Sequence, residues 1–138
     1  MILLDPHARP VIGHRGNRVA SPENTLESMR EAVSVGVDGV EFDLRVSRDG
    51  RLVVMHDATL ERTTNGAGRV ALHTAAQLRS FDAGANFTLN EGKSFPFRGR
   101  GVGVPLFDEI VEGLPRELPL IIELKTPVAV PLLRDVEC

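Results

Sequence analysis

Two carboxylates, Glu41 and Asp43, interrupt the apolar run Val40-Glu41-Phe42-Asp43-Leu44 at alternate positions. Alternation marks a strand, so both acids share one face and Val40, Phe42 and Leu44 share the other. Neighbouring carboxylates repel and raise each other's pKa unless something positive lies between them. A hard divalent cation with oxygen ligands answers that need, and a solvated strand face carrying two chance acids is the alternative. Three other places carry matching chemistry: His14-Arg15, His56, and the pair Glu123 and Lys125. Three carboxylates can hold one Mg²⁺ or Ca²⁺, with water and substrate oxygens completing the shell. Arg15 and Lys125 supply the positive charge a phosphate needs. His14 and His56 supply a base for an attacking oxygen and an acid for a leaving one. Together they suit cleavage of a phosphodiester, whose transition state gathers negative charge. Neither His nor Cys spacing fits a structural zinc site.

These residues need elements to hold them. Pro10-Val11-Ile12-Gly13 reads as a first strand that delivers His14 and Arg15 at its end. A helix follows, with Ser21 as a cap, Pro22 in its first turn and Asn24 with Glu27 as a second capping box. Leu26, Met29, Ala32 and Val33 form its apolar stripe, and Gly36 stops it. The acidic strand, residues 40–46, completes a βαβ unit, which implies a parallel sheet covered by helices. Asp49-Gly50 joins it to a second run, residues 52–56, in a hairpin. A two-residue loop at Asp49-Gly50 pairs Arg48 with Arg51 and sets His56 opposite Asp43, about 5 Å away at Cβ.

Residues 57–105 read as an inserted segment over the site. Thr74-Ala75-Ala76-Gln77 caps a short helix, and Phe87, Phe95 and Phe97 act as scattered anchors. Phe107, Ile110, Val111 and Leu114 have the spacing of a short amphipathic helix ended by Pro115. Residues 120–124 form a last strand, apolar at Ile121 and charged only at Glu123, followed by Lys125, as the mouth of a barrel requires. Val128 to Cys138 reads as the apolar start of an unfinished element.

Composition narrows the class. A net charge of −3 over 138 residues gives no electrostatic case for nucleic acid or an anionic membrane surface. The single cysteine, Cys138, excludes an intrachain disulfide. The opening Met1-Ile2-Leu3-Leu4 is too short for a membrane anchor, so a cytoplasmic location is expected.

The chain resembles the glycerophosphodiester phosphodiesterase family. The resemblance rests on Gly13-His14-Arg15-Gly16, Ser21-Pro22-Glu23-Asn24-Thr25, Val40-Glu41-Phe42-Asp43, Arg48-Asp49-Gly50, His56-Asp57, Thr63-Thr64-Asn65-Gly66 and Ile122-Glu123-Leu124-Lys125, in that order along nearly the whole chain. It implies an irregular TIM (β/α)8 barrel and hydrolysis of glycerophosphodiesters, such as glycerophosphocholine, to sn-glycerol 3-phosphate and an alcohol. By matching position it implies that Glu41, Asp43 and Glu123 bind the metal, that His14 and His56 are the acid/base pair, and that Arg15 and Lys125 contact the phosphate. It further implies attack by the substrate's own glycerol hydroxyl, through a cyclic phosphate opened by water. The residues fit that route and direct attack by water equally.

Length departs from the family. A full barrel takes roughly 250 residues, and the sequence offers four strands. The expectation is about the N-terminal half of a barrel, a truncated piece of a longer protein. If the half barrel is the whole product, self-association is expected, because open edges need partners. Two alternatives stand beside the diesterase: a relative that cleaves lysophospholipids, and an inactive fragment.

Overall fold

A computed structural model of the chain describes residues 1–127. The apolar end that begins at Val128 and contains Cys138 lies outside the described residues. Four strands form one sheet. They are β1 (Ile12–His14), β2 (Gly39–Val46), β3 (Leu52–Val54) and β4 (Leu120–Leu124). Helix α1 (Leu26–Ser34) lies between β1 and β2, and α2 (Ala75–Ser80) and α3 (Phe107–Gly113) both lie between β3 and β4. Both edges of β2 are used. On one edge β1 runs parallel beside Gly39–Glu41 and β3 antiparallel beside Leu44–Val46. On the other, β4 runs parallel from Val40 to Leu44. Among the described residues the sheet does not close.

The acidic strand splits as its alternation predicts. Val40, Phe42 and Leu44 are wholly buried with Met29 and Ala32 of α1 and Phe107 and Ile110 of α3. The Phe42 ring stands 6.1 Å from that of Phe107. Burying a side chain of this kind is worth about 2–3 kcal/mol, so this face fixes which side of β2 is left for the acids. Helix α1 begins later than expected. Thr25 is its N-cap, and Thr25 and Ser28 exchange the two bonds of the capping box. Asn24 does not cap; its side chain turns to β2.

The hairpin register differs from the expected one by one residue. Leu44 pairs with Val54 and Val46 with Leu52, and the Met55 amide donates to the Asp43 carbonyl at 3.0 Å. Asp43 therefore faces Met55, and His56 lies one residue further on. The cause is the loop. Ser47 N–H donates to Arg51 O at 2.9 Å and Gly50 N–H to Ser47 O at 3.0 Å, with Gly50 at φ 77°. This is a three-residue loop closed by a left-handed glycine, and it displaces the pairing that a two-residue loop would set.

Beyond β3 the chain builds a second cluster. Met55, Leu60, Val70, Leu78, Val102 and Val104 pack with Val53, with Phe81 and Phe97 at the margin. The centre is aliphatic, whereas the phenylalanines work at the rim. Phe87 meets Phe97 edge to face, and Arg98 lies over Phe95. The capping box at Thr74 and Gln77 forms as the sequence predicts. Pro105 O accepts from Val54 N–H at 2.9 Å, so the segment returns to the strand it left. Among the described residues, no helix is long and apolar enough to cross a membrane.

Candidate active site

The site forms where β1, β2 and β4 end on the face opposite α1 and α3. In register, His14 lies beside Glu41 and Asp43 beside Glu123. Carboxylate oxygens of Glu41, Asp43 and Glu123 lie within 4.8 Å of one another. Asp43 is fully buried, Glu41 is intermediate and Glu123 is open to solvent. Burial differs between strands rather than along them: Asp43 of the central strand is covered, whereas Ile121 and Glu123 of β4 are both exposed.

Cations flank the three acids. Lys125 Nζ stands 2.5 Å from Glu123 Oε1 and 3.3 Å from Asp43 Oδ1. Its pKa is raised, above all by the hydrogen bond to Glu123 and then by Asp43. Arg15 Nε stands 3.4 Å from Asp43 Oδ2, and the Arg15 amide donates to Glu41 Oε2 at 3.1 Å. His14 Nε2 lies 3.7 Å from the same Glu41 oxygen, its ring half exposed. The loop behind these residues is tightly held. Arg15 has φ 54°, and its carbonyl accepts from the Asn24 amide at 3.0 Å and from Ser28 Oγ at 2.9 Å. A Cβ on Gly16 would lie 2.4 Å from Ser28 Oγ, and Gly16 itself has φ 79°. Only glycine lets the loop lie on α1 and turn as it does.

Asn24 is a residue of this site that the sequence reading assigned to capping. Asp43 lies past the last β1 pair and before the first β3 pair. Its N–H would face a gap in the edge of β2. The Asn24 carboxamide fills that gap. Its Oδ1 accepts from Asp43 N–H at 3.3 Å, and its Nδ2 donates to Asp43 Oδ2 at 2.9 Å. Asn24 has φ 56°, a conformation that asparagine tolerates better than most residues. Its place beside Pro22 and Glu23, ahead of a Thr-Leu-Glu-Ser helix start, was the available signal.

His56 does not stand across from Asp43. Among the described residues, no hydrogen bond or ion pair joins it directly to the three carboxylates. Its carbonyl accepts from Arg45 Nε at 2.9 Å. Its Nδ1 lies 2.7 Å from Asp57 Oδ1. It borders a small niche with Glu23, Asn24 and Met55, and of these Asn24 is bonded to Asp43. Burial draws the Arg45 guanidinium down, against the charges of Asp57 and Asp43. Asp57 is held well below the usual carboxylate range by Arg62 first and by His56, against burial. Burial pushes Glu23 up, but Arg62 and then Arg15 outweigh it and leave its carboxyl below the usual value.

A divalent cation is tested by these donors. Three convergent carboxylates make a hard oxygen set. Asp43 Oδ1 is buried without a hydrogen-bond partner. An anionic oxygen left so is costly unless a cation completes it. Lys125 meets part of that need, and the residues fit a metal centre.

The sequence model of the glycerophosphoryl diester phosphodiesterase family matches residues 14–137. The chain is 35% identical over 133 residues to the glycerophosphodiester phosphodiesterase of Bacillus subtilis strain 168, covering 94% of this chain and 44% of that protein. Its structure is similar to the glycerophosphoryl diester phosphodiesterase domain of a Mycobacterium tuberculosis protein, with a TM-score of 0.83 at 32% identity, over 91% of this chain and 47% of that one. It is also similar to an Oleispira antarctica phosphodiesterase solved with its product sn-glycerol-3-phosphate, with a TM-score of 0.76 at 31% identity, over 92% of this chain and 52% of that one. The chain spans about half the length of these relatives. Its open sheet accordingly corresponds to about half of an irregular (β/α)8 barrel. The relatives bearing that name are phosphoric diester hydrolases. With the family match running from His14 nearly to its last residue, the chain belongs to the glycerophosphoryl diester phosphodiesterase family.

Proposed function

We propose that the chain carries the metal-binding and acid/base part of an enzyme that hydrolyses glycerophosphodiesters to sn-glycerol 3-phosphate and an alcohol. The observation that carries this is the convergence of Glu41, Asp43 and Glu123 within 4.8 Å, with the buried Asp43 Oδ1 faced by Lys125 Nζ at 3.3 Å but without a hydrogen bond. These three residues would hold one Mg²⁺ or Ca²⁺. When bound, such an ion supplies positive charge against the phosphoryl oxygens as negative charge builds there. Arg15 and Lys125 add charge from opposite sides of Asp43, and their role is to hold the phosphate.

His14 and His56 form the proton-transfer pair. One takes the proton of the attacking oxygen, either a glycerol hydroxyl or water. The other gives a proton to the alcohol oxygen as its bond to phosphorus breaks. In the Asp57 pair, Nδ1 of His56 carries a proton, because a carboxylate only accepts. Nε2 is then the atom that meets substrate. Residues 57–105 act as an insertion that borders the site. Most of its apolar side chains turn into their own cluster and only the separate Leu72 and Leu89 are exposed large aliphatics, which favours a soluble diester over a lysophospholipid. The product bound to the Oleispira protein supports the same choice.

The test is release of sn-glycerol 3-phosphate from glycerophosphocholine by the purified protein, with Mg²⁺ or Ca²⁺ and with EDTA. Chelator-sensitive product that His14→Ala abolishes is expected. Product that persists in EDTA, or no product with either ion, contradicts the proposal.

A further inference from the structure

We infer that Arg62 is a positioning residue that fixes the His56 imidazole through Asp57 and ties it to the β1–α1 loop. The inference rests on the reading of His56 as a proton-transfer group. Arg62 Nε donates to Asp57 Oδ2 at 2.8 Å, and its NH2 donates to Asp57 Oδ1 at 2.9 Å. On its other side, NH1 donates to Glu23 Oε2 at 3.0 Å and NH2 to Glu23 Oε1 at 2.6 Å. Both carboxylates are gripped in the two-pronged geometry that only a guanidinium provides.

Each carboxylate has a second duty. Asp57 Oδ1 also faces His56 Nδ1 at 2.7 Å. Glu23 Oε1 also accepts from Arg15 NH1 at 3.0 Å, and Arg15 reaches Asp43. A continuous chain therefore runs from His56 through Asp57, Arg62, Glu23 and Arg15 to the buried Asp43. Three carboxylates, Asp57, Glu23 and Asp43, alternate with two guanidiniums, so each cation sits between two anions. This replaces the direct cross-strand placement that the hairpin register withholds.

The turn that carries Arg62 is itself fastened. Asn86 Nδ2 lies within 3.2 Å of the carbonyls of Glu61, Arg62 and Thr64. The grip on His56 thus originates in the segment beyond β3. A carboxylate that rotates freely would leave the imidazole free to exchange its two neutral tautomers. Held by Arg62, Asp57 keeps the proton of the neutral ring on Nδ1 and leaves Nε2 as the atom that exchanges a proton with substrate.

The test compares the wild-type protein with Arg62→Met, which keeps the length of the side chain and removes the fork. The ¹⁵N spectrum of the imidazoles is assigned by the signals lost in His56→Gln. Wild-type His56 is expected as one Nδ1–H tautomer, and Arg62→Met as a mixture. Misorientation of a reacting group costs up to about 10²-fold, so kcat should fall about tenfold to a hundredfold. KM and metal affinity should stay within about threefold. Arg62→Lys keeps the charge but not the fork; it should recover only part of the loss, and serves in place of Arg62→Met if that variant does not fold. An unchanged tautomer in the variant overturns the inference, whatever happens to kcat. A shifted tautomer with full kcat overturns the proton-transfer role of His56 instead, and with it the catalytic part of the inference. Substrate turnover lost in His14→Ala but kept in His56→Gln would assign the failure to the reading of His56 rather than to Arg62.

Discussion

Replacing Asn24 tests whether the strand edge around Asp43 depends on a borrowed side chain. Asn24→Ala removes the bond to Asp43 N–H and the bond to Asp43 Oδ2. Both Asp43 and Asn24 are buried, so water does not replace these partners freely. An orphaned buried N–H costs about 1–3 kcal/mol, and a hydrogen bond to a charged group is worth about 1.5–3 kcal/mol. Alanine at φ 56° adds about 1 kcal/mol. The two bonds belong to one carboxamide and their losses do not add in full, so the expected loss is about 3–5 kcal/mol, a large share of the 5–15 kcal/mol that is typical of a folded domain. Urea unfolding measures it. At a slope of about 2 kcal/mol per molar, the midpoint should fall by about 2 M with the slope unchanged. Asn24→Gly loses the same bonds without the backbone penalty, and should be about 1 kcal/mol more stable than Asn24→Ala. Two variants that both unfold within about 1 kcal/mol of the wild type would refute the idea that Asn24 stands in for a missing strand.

Three further outcomes are expected. Gly16→Ala places a Cβ 2.4 Å from Ser28 Oγ at φ 79°, so it should cost about 3 kcal/mol or more by overpacking and backbone strain together; an unchanged thermal midpoint would contradict this. Gly50→Ala meets open space at φ 77°, so only the backbone term of about 1 kcal/mol applies, and equal losses at the two glycines would show the contrast to be mistaken. Asp57 and Glu23 both have lowered pKa values, so the unfolded chain binds their protons more readily than the folded one. Their contribution is complete above about pH 4.5 and is lost as pH falls through the folded values. Stability followed by circular dichroism should therefore drop on the acid side of pH 4.5, less steeply in Arg62→Met, and parallel acid limbs would contradict the assignment.

The fold was legible where side-chain period and burial agree. Val40, Phe42 and Leu44 declared the covered face of β2, and the stripe from Leu26 to Val33 declared the helix that covers it. Glu123 stands out in the sequence because Ile121, deeper on the same face, is apolar, although in the open sheet Ile121 is itself exposed. The hairpin register was not legible from Asp49-Gly50 alone, because that dipeptide closes two-residue and three-residue loops equally well. The choice was made by Ser47. Its hydroxyl accepts from the Arg51 amide at 2.9 Å and lies 2.6 Å from Asp49 Oδ1, and Asp49 in turn accepts from the Ala75 amide at the start of α2. That last contact spans 26 residues, beyond the reach of a local pattern. The same holds for Asn24, Glu23 and Arg62. Asn24 meets Asp43 across 19 residues and Glu23 meets Arg62 across 39, and each residue taken alone reads as a cap or a surface charge. The metal-ligand candidates were easier, since Glu41 and Asp43 announce themselves by breaking the expected polarity of one strand face.

Glu41, Asp43 and Glu123 together are the proposed binding site for one divalent cation. Titration calorimetry of the purified protein with Mn²⁺, a hard ion that prefers oxygen ligands, tests it without requiring turnover. One ion per chain is expected, with Asp43→Asn and Glu123→Gln each weakening it about tenfold to a hundredfold and Glu109→Gln, on the far face, leaving it unchanged. Binding that is absent, or that survives Asp43→Asn at full affinity, would contradict the account.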